Sequence, residues 1–449
     1  MYYFQMSFIF LLFNLIADAF LNFALRKSNS YSQSNIKLSA LREFQYGEIK
    51  LIKFLGRINM VKSTIDKGNN NDDNVATTIR LFEARIVSNP PKMGERGQRV
   101  YIKEYSVDGI KYGRKERKAI TKISKNEREK EKLKINQMIQ KSELEQQDNE
   151  VNPEIFEFQA KEVEKDNNNS STFPLPLLLN YTAPVPPVPQ LLGILKVDDR
   201  VEDSQFQSQW SRKFPRLQLP QKGFMVLVYN WDSATFRTLS RFPKLPQIIQ
   251  GFEYFSEERR IKRRYNFIRK MIQKILIVIS KIHNSGYCHG ALTSESIWLT
   301  TSNQLEIDQL DVQVADWSNS IALKSVGPDA RLLINEDIYQ LGFLLLEIIF
   351  ASFANDEYRQ VLYTQREWQQ VFENQLNKDL GQLKKFVSSN RDFNQAVSVL
   401  EINNDAIYKL IFKCLVVNDL YDNERVNKIN ISASKLLNDF RKNLKNPQI

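Results

Sequence analysis

The stretch from residue 265 to residue 316 constrains the fold of this 449-residue chain more than any other part of it. Between Tyr265 and Ile282, apolar side chains recur at three- and four-residue spacing. That spacing predicts a helix buried along one broad face. Gly286 is placed to end the helix. An apolar run at 297–299, a polar turn at 302–304 and an alternating segment at 310–315 then predict a hairpin that leads to Asp316. The predicted order is therefore helix, loop, hairpin and a lone carboxylate.

Two motifs give this order of elements a chemical meaning. The loop reads His289-Gly-Ala-Leu-Thr-Ser-Glu-Ser296, and the lone carboxylate begins Asp316-Trp-Ser. Both resemble the eukaryotic protein kinase family, whose catalytic loop reads H-R-D-L-x-x-x-N and is followed by D-F-G. Further on, the run from Asp337 to Gly342 and the apolar residues after it resemble the central helix of the family's large lobe. The resemblance implies that Asp337 ties that helix to the backbone of the catalytic loop.

Several residues that the family uses for chemistry are replaced in this chain. Phosphoryl transfer needs a carboxylate to take the hydroxyl proton and an amide and a carboxylate to hold magnesium. Ala291 stands at the position of the base and cannot accept a proton, and Ser296 stands at the position of the magnesium-binding asparagine. Asp316 remains as a candidate ligand for one Mg²⁺ ion. The resemblance thus implies a site that could hold ATP and Mg²⁺ but is poorly equipped to react the nucleotide.

The first half of the chain carries the resemblance through one lysine. The run Arg99–Tyr105 resembles the V-A-I-K strand, in which Lys103 would meet the α- and β-phosphates. A long helix follows and should supply a glutamate partner for Lys103. Glu127 is the predicted partner, because it lies on the one helix face of apolar character. Glu129 and Glu131 stay open as alternatives.

Two further residues are candidates for nucleotide binding. The resemblance places a phosphate-binding turn at residues 55–61, but Gly56 is its single glycine where the family has three. An ordinary hairpin fits that segment as well. Tyr229 ends an apolar run that resembles the last small-lobe strand and the hinge over which adenine binds. Any central strand would also fit.

The predicted fold class is α+β, with the two lobes of a protein kinase. Residues 46–228 form the small β-rich lobe, with one long helix at about 115–147 and polar insertions at 147–172 and 198–221. Residues 229–449 form the mainly helical lobe. The polar insertions lack the apolar residues needed to bury surface.

The amino terminus has the composition of a leader. Residues 1–19 contain an apolar run that ends at Ala17-Asp-Ala19, a small-x-small pattern typical of signal peptides. Residues 20–45 are rich in Ser, with scattered Arg and Lys. Together they resemble the two-part leader of plastid proteins in algae with a secondary plastid, which implies plastid localisation. A secretory signal or an uncleaved anchor remains the alternative, and the run is too short and interrupted for a stable membrane span.

Composition excludes some classes of site and leaves others open. The two cysteines, Cys288 and Cys414, form neither a disulfide framework nor a CxxC metal motif. The formal net charge of +11 is concentrated at 111–134 and 259–264. Such clusters can contact nucleic acid or anionic membrane. Interleaved glutamates in the first cluster favour a solvated helix face instead.

Three functions follow from these observations. The first is a pseudokinase that acts as a scaffold or regulator by binding a protein partner. The second is an active, atypical serine/threonine protein kinase that transfers phosphate from ATP with another group in place of the missing base. The third is a nucleic-acid-binding protein that uses the basic clusters.

Overall fold

The structure is a computed structural model that describes nine segments of the chain: residues 41–60, 77–87, 97–150, 185–197, 202–231, 237–238, 257–353, 363–416 and 431–445. It combines a mixed six-stranded sheet with a set of helices, which confirms the predicted α+β class. Most of the predicted leader and most of the insertion at 147–172 lie outside the described residues.

The six-stranded sheet has the order β1-β5-β6-β4-β3-β2. Only β1 and β5 run parallel, and the other neighbours are antiparallel. The strand bounds are β1 Arg42–Phe44, β2 Ile49–Met60, β3 Thr77–Ile86, β4 Arg99–Tyr105, β5 Leu191–Lys196 and β6 Met225–Asn230.

Both faces of this sheet are buried, and strand periodicity divides the side chains between them. In β4, Val100 and Ile102 pack in the core on one face, whereas Tyr101 and Tyr105 pack in the core on the other. Helix α1 (Ile110–Glu150) covers the tyrosine face. The helix predicted at 115–147 is therefore present with slightly wider bounds.

Helix α2 (Ser204–Lys213) covers the opposite face. Asp203 caps it by accepting a hydrogen bond from the backbone N–H of Gln205, and Trp210 is buried against the sheet. Residues 198–221 were predicted as a polar insertion, but their central part is this packed helix. Strand β1 likewise lies within the segment predicted as transit-like. Widely spaced aromatic residues, rather than a dense apolar run, anchor these short elements.

The second half of the chain is mainly helical and contains two small sheets with the orders β10-β9-β7 and β11-β8. The strand bounds are β7 Arg237–Thr238, β8 Tyr287–Cys288, β9 Ile297–Leu299, β10 Val312–Val314 and β11 Ile321–Ala322. The helix bounds are α3 Glu257–Asn284, α4 Ala330–Ser352, α5 Gln365–Gln370, α6 Leu380–Ser389, α7 Asn394–Val416 and α8 Ala433–Lys445.

Helices α3 and α4 form the centre of this half. The apolar face predicted for α3 is buried, and α4 is buried on nearly all sides, as expected for a helix that is apolar all round. The core on the tyrosine face of the large sheet continues into the core around these two helices. No helix in the described part of the chain is long and apolar enough to cross a membrane.

Candidate functional site

One buried carboxylate is hydrogen-bonded to the backbone of the loop at 287–296. Asp337 of α4 accepts hydrogen bonds from the backbone N–H groups of His289 at 2.7 Å and Gly290 at 2.8 Å. His283 Nε2 donates to the same carboxylate at 3.1 Å. Burial acts to raise the pKa of Asp337, but the bond from His283 and the nearby histidines outweigh it and lower the pKa. Asp337 thus joins α4 to the loop backbone, as the sequence predicted.

The segment around Asp316 also contacts this loop. His289 Nε2 donates to the backbone oxygen of Ala315 at 2.7 Å, and its imidazole packs edge-on against Trp317 with ring centroids 5.0 Å apart. Gly290 has a φ of +75°, and a Cβ there would lie 2.7 Å from the backbone oxygen of Asn319. Only glycine fits that close approach.

Ser296 and Ala291 occupy the loop positions predicted for the magnesium ligand and the base. Ser296 is fully buried, and its hydroxyl donates to the backbone oxygen of Thr293 at 2.7 Å and accepts from the backbone N–H of Thr293 at 3.0 Å. The hydroxyl therefore closes a local turn. Ala291 is half-buried and presents a methyl group at the position predicted for the base.

The large sheet and α1 meet the segment that follows β10 at three charged side chains, Lys103, Glu116 and Asp316. We call this group the buried ion triad. Lys103 Nζ donates to both carboxylate oxygens of Glu116, at 3.0 and 3.1 Å, and forms an ion pair with Asp316. The side chains of Lys103 and Glu116 are each 1% exposed, and that of Asp316 is 20% exposed. The ammonium thus lies between the two carboxylates.

Three hydroxyl groups complete the surroundings of Glu116. Tyr229 donates to it at 2.6 Å, Ser318 donates at 2.8 Å, and Tyr105 also donates to it. Burial acts to raise the pKa of Glu116, but the Lys103 ammonium and the tyrosine hydroxyls outweigh it and lower the pKa. Burial also acts to lower the pKa of Lys103, and the Asp316 and Glu116 carboxylates reverse that and raise it. Lys103 and Glu116 are therefore both ionised at neutral pH.

The partner predicted for Lys103 was wrong. Glu127 lies further along α1 and pairs with Lys130 at 2.9 Å and with Lys281 of α3 at 3.3 Å. Glu116 instead takes the position beside Lys103. The sequence held a signal for it, since Glu116 falls on the same helical face as the buried Tyr112, Ala119 and Ile123.

Tyr105 and Ser318 were also missed by the sequence reasoning. Tyr105 is two residues after Lys103 on the same strand and therefore points to the same face of the sheet. Ser318 is the third residue of the motif that begins at Asp316, at the position where the family has glycine. A hydroxyl in place of that glycine was the sequence signal that this segment forms a side-chain hydrogen bond.

Aromatic rings fill the contact between the large sheet and β9. The ring of Tyr101 meets the ring of Trp298 edge-on, with centroids 5.2 Å apart, and contacts those of Trp231 at 5.8 Å and Tyr229 at 6.2 Å. Tyr101 and Trp298 are both buried. Burial, and next the negative charge of Asp316, raise the pKa of Tyr101 well above its usual value. Tyr229, the predicted hinge residue, points its side chain into this layer and toward Glu116.

The predicted phosphate-binding turn lies inside a strand. Gly56 belongs to β2, pairs with Leu81 of β3 and sits at a shift in strand register that follows Phe54. Strand β2 continues to Met60, so residues 55–60 lie in a strand paired with β3 rather than in a turn. The glycine accommodates the irregular pairing with its φ of +149°.

The described residues contain no group of three or more His, Cys, Asp or Glu side chains arranged to hold a metal ion. No protein-family model matches this chain, and no curated protein matches it. The site is therefore interpreted from its own geometry: a loop fixed by Asp337, a buried ion triad and a layer of aromatic rings.

Proposed function

We propose that this protein is a pseudokinase, with the two-lobed fold of a protein kinase and a role as a scaffold or regulator that binds a protein partner. The observation that carries the proposal is the buried ion triad beside a loop that lacks a base. Lys103, Glu116 and Asp316 join the two halves of the molecule, and the loop position that needs a carboxylate holds Ala291. The arrangement supports a conformation held by protein groups rather than by a nucleotide.

The absence of a base argues against phosphoryl transfer. General-base assistance is worth roughly 10²–10⁴-fold in rate. Glu295 and Asp308 are the carboxylates close to the loop in sequence. Asp308 is 96% exposed at its side chain and pairs with Lys270 of α3 at 3.0 Å. Asp308 is therefore engaged with α3, and neither it nor Glu295 has a hydrogen bond or ion pair with a described residue that would make it a substitute for the base.

The residues assigned to ATP and Mg²⁺ fit that ligand poorly. A phosphate would have to displace Asp316 from the Lys103 ammonium, whereas the pair with Glu116 is one that a kinase keeps when its lysine contacts phosphate. The hydroxyl of Ser296 is used within its own loop. An adenine placed between the sheet and β9 would require Tyr101 and Trp298 to separate. These contacts support a function without nucleotide.

The proposal extends to where the protein acts. Plastid delivery is supported by the sequence pattern of residues 1–45 alone. Localisation of a fusion carrying this leader, compared with the same fusion without residues 20–45, tests it: a product that enters the secretory pathway and stays there would contradict it.

The test of the pseudokinase is a pair of assays on the full chain. A ligand bound to the folded state at 100 times its dissociation constant stabilises by about 2.7 kcal/mol, which a thermal melt resolves. We expect no such shift with Mg·ATP and no transfer of labelled phosphate to a generic protein substrate or to the chain itself. The variant Ala291→Asp, which restores the carboxylate, is expected to remain inactive because Lys103 stays occupied.

Phosphate transfer by the wild-type protein, abolished in Asp316→Asn, would overturn the proposal. A large gain of transfer in Ala291→Asp would show that only the base is missing. A thermal shift with Mg·ATP in the absence of transfer would keep the pseudokinase and reject the nucleotide-free site.

A further inference from the structure

The exposed face of α1 is covered by cations. Every exposed residue between 110 and 126 is a lysine or an arginine. The single acidic residue in that interval, Glu116, is buried against the sheet. The exposed residues are Lys111, Arg114, Lys115, Arg117, Lys118, Lys122 and Lys125.

Six of these seven cations lie along one face of the helix. Successive residues of a helix are offset by about 100°, so all but Arg117 fall within an arc of about 100° opposite the buried face. Lys111 and Lys125 are fourteen steps apart, so this face is about 21 Å long at a rise of about 1.5 Å per residue. We call this row of cations the cationic ridge; its members are Lys111, Arg114, Lys115, Lys118, Lys122 and Lys125.

Most cations of the ridge lack the carboxylate partners that three lysines of α3 have. On α3, Lys270 pairs with Asp308, Lys274 with Asp311, and Lys281 with Glu127. On the ridge, Lys125 lies 3.8 Å from Glu129, and the other five members are in no ion pair with any described residue. Like charges at i, i+4 destabilise a helix by roughly 0.2–0.5 kcal/mol per pair. Lys111 and Lys115 lie over the ring of Tyr112, at 5.1 and 6.0 Å, but no described carboxylate lies among the first five cations of the ridge to offset this repulsion.

The ridge is also rigidly placed. Its helix is fixed to the sheet by the buried Tyr112, Ala119 and Ile123 and by the contacts of Glu116. A Cβ at Gly113 would lie 3.0 Å from Met225 Sδ and from the ring of Tyr105, so the helix backbone approaches the sheet closely. A charged surface held in one geometry loses little conformational entropy of its backbone on binding.

We infer that the cationic ridge docks an acidic segment of a partner protein. Its cations are spaced by one helical turn, about 5–6 Å between Cβ atoms, which approximates the spacing of side chains on one face of an extended chain or helix. Nucleic acid fits less well, because no aromatic, Asn or Gln side chain is exposed between 110 and 126 to stack on bases or read them. A membrane also fits less well, because the same interval exposes no apolar side chain for insertion.

This inference does not depend on the pseudokinase proposal, since it rests only on α1. The test uses the full chain and three labelled or sedimentable probes: a glutamate-rich peptide of about 20 residues, an oligonucleotide of equal net charge, and vesicles that contain phosphatidylserine. Anisotropy and co-sedimentation are measured at several salt concentrations, because screening weakens contacts between exposed charges. We expect the peptide to bind most tightly of the three, with an affinity that falls as salt rises.

Two charge-reversal variants make the test specific to the ridge. The first reverses four ridge positions: Lys111→Glu, Lys115→Glu, Lys118→Glu and Lys122→Glu. The second is a matched control with the same change in net charge at four exposed positions elsewhere: Lys385→Glu, Arg391→Glu, Arg441→Glu and Lys442→Glu. A third variant with Gln at the four ridge positions serves if the reversed helix does not fold, as judged by a thermal melt.

The expected result is a loss of peptide affinity of at least about tenfold in the ridge variant and of less than about threefold in the control. Equal losses in the two variants would reduce the effect to net charge and overturn the inference, as would a wild-type protein that does not bind the peptide. Tighter binding of the oligonucleotide or the vesicles, lost only in the ridge variant, would also overturn it by assigning the ridge to a different class of partner.

Discussion

Replacing Lys103 by Met tests whether the buried ion triad holds the folded protein together without a ligand. The substitution keeps a long, flexible side chain but removes the cation that pairs with Glu116 and Asp316. Breaking a buried ion pair by removing one partner costs roughly 3–5 kcal/mol, because the remaining charge is left uncompensated. Glu116 keeps three hydroxyl donors and Asp316 is partly exposed, so we expect a loss near the lower end, about 3 kcal/mol.

The full decrease in the free energy of unfolding should be seen at neutral pH. The pKa of Glu116 is lowered, so its stabilising contribution is present above its unfolded-state pKa and disappears as pH falls through the folded value. The pKa of Lys103 is raised, so its contribution is present below its unfolded-state pKa and disappears as pH rises through the folded value. Neutral pH lies between these limits.

The measurement is urea unfolding of wild type, Lys103→Met, Glu116→Gln and the double variant in the absence of nucleotide. In this cycle the sum of the losses of unfolding free energy in the two single variants should exceed the loss in the double variant by about 2 kcal/mol. The neutral Gln of the double variant no longer needs the ammonium. A Lys103→Met protein as stable as wild type, which nevertheless loses a thermal shift with Mg·ATP, would refute this reasoning and make Lys103 a phosphate-binding residue.

Three further predictions concern the loop and the sheet. Gly290→Ala should lower the free energy of unfolding by more than about 2 kcal/mol, because its Cβ would approach Asn319 O to 2.7 Å. The control Gly286→Ala, with a φ of +83° but open space, should cost only about 1 kcal/mol in the same urea titration. Asp337→Ala should cost about 3 kcal/mol and speed hydrogen exchange at the two loop amides that it accepts from, whereas unchanged exchange would contradict its anchoring role. The pKa of Glu104 is raised to about 6 by burial, against the opposing effect of Arg80. The folded state therefore binds this proton more tightly than the unfolded state, and the contribution of Glu104 to stability should rise by about 2 kcal/mol as pH falls from 7 to 4.5. Glu104→Gln should lack that rise, and identical pH profiles would contradict the shift.

The local elements and their order follow from patterns within the amino-acid sequence. The apolar spacing of α3, the glycine after it, the hairpin and the apolar run of α4 each require only neighbours along the chain, so their periodicity is sufficient. Asp337 could also be assigned from its motif, and the structure places it under the loop as expected. Residues 204–213 were missed because a short helix that is anchored by single aromatic residues has no sustained period.

Which groups meet across the molecule depends on tertiary packing. Periodicity gives the buried face of a 41-residue helix, but not the turn that docks on the sheet, and so it could not choose between Glu116 and Glu127. The contact of Tyr101 with Trp298 joins residues far apart in the chain and depends on how the sheet and β9 pack. The balance of charge at Lys103 depends on these same long-range contacts, because burial and partner distance decide the effect of each carboxylate.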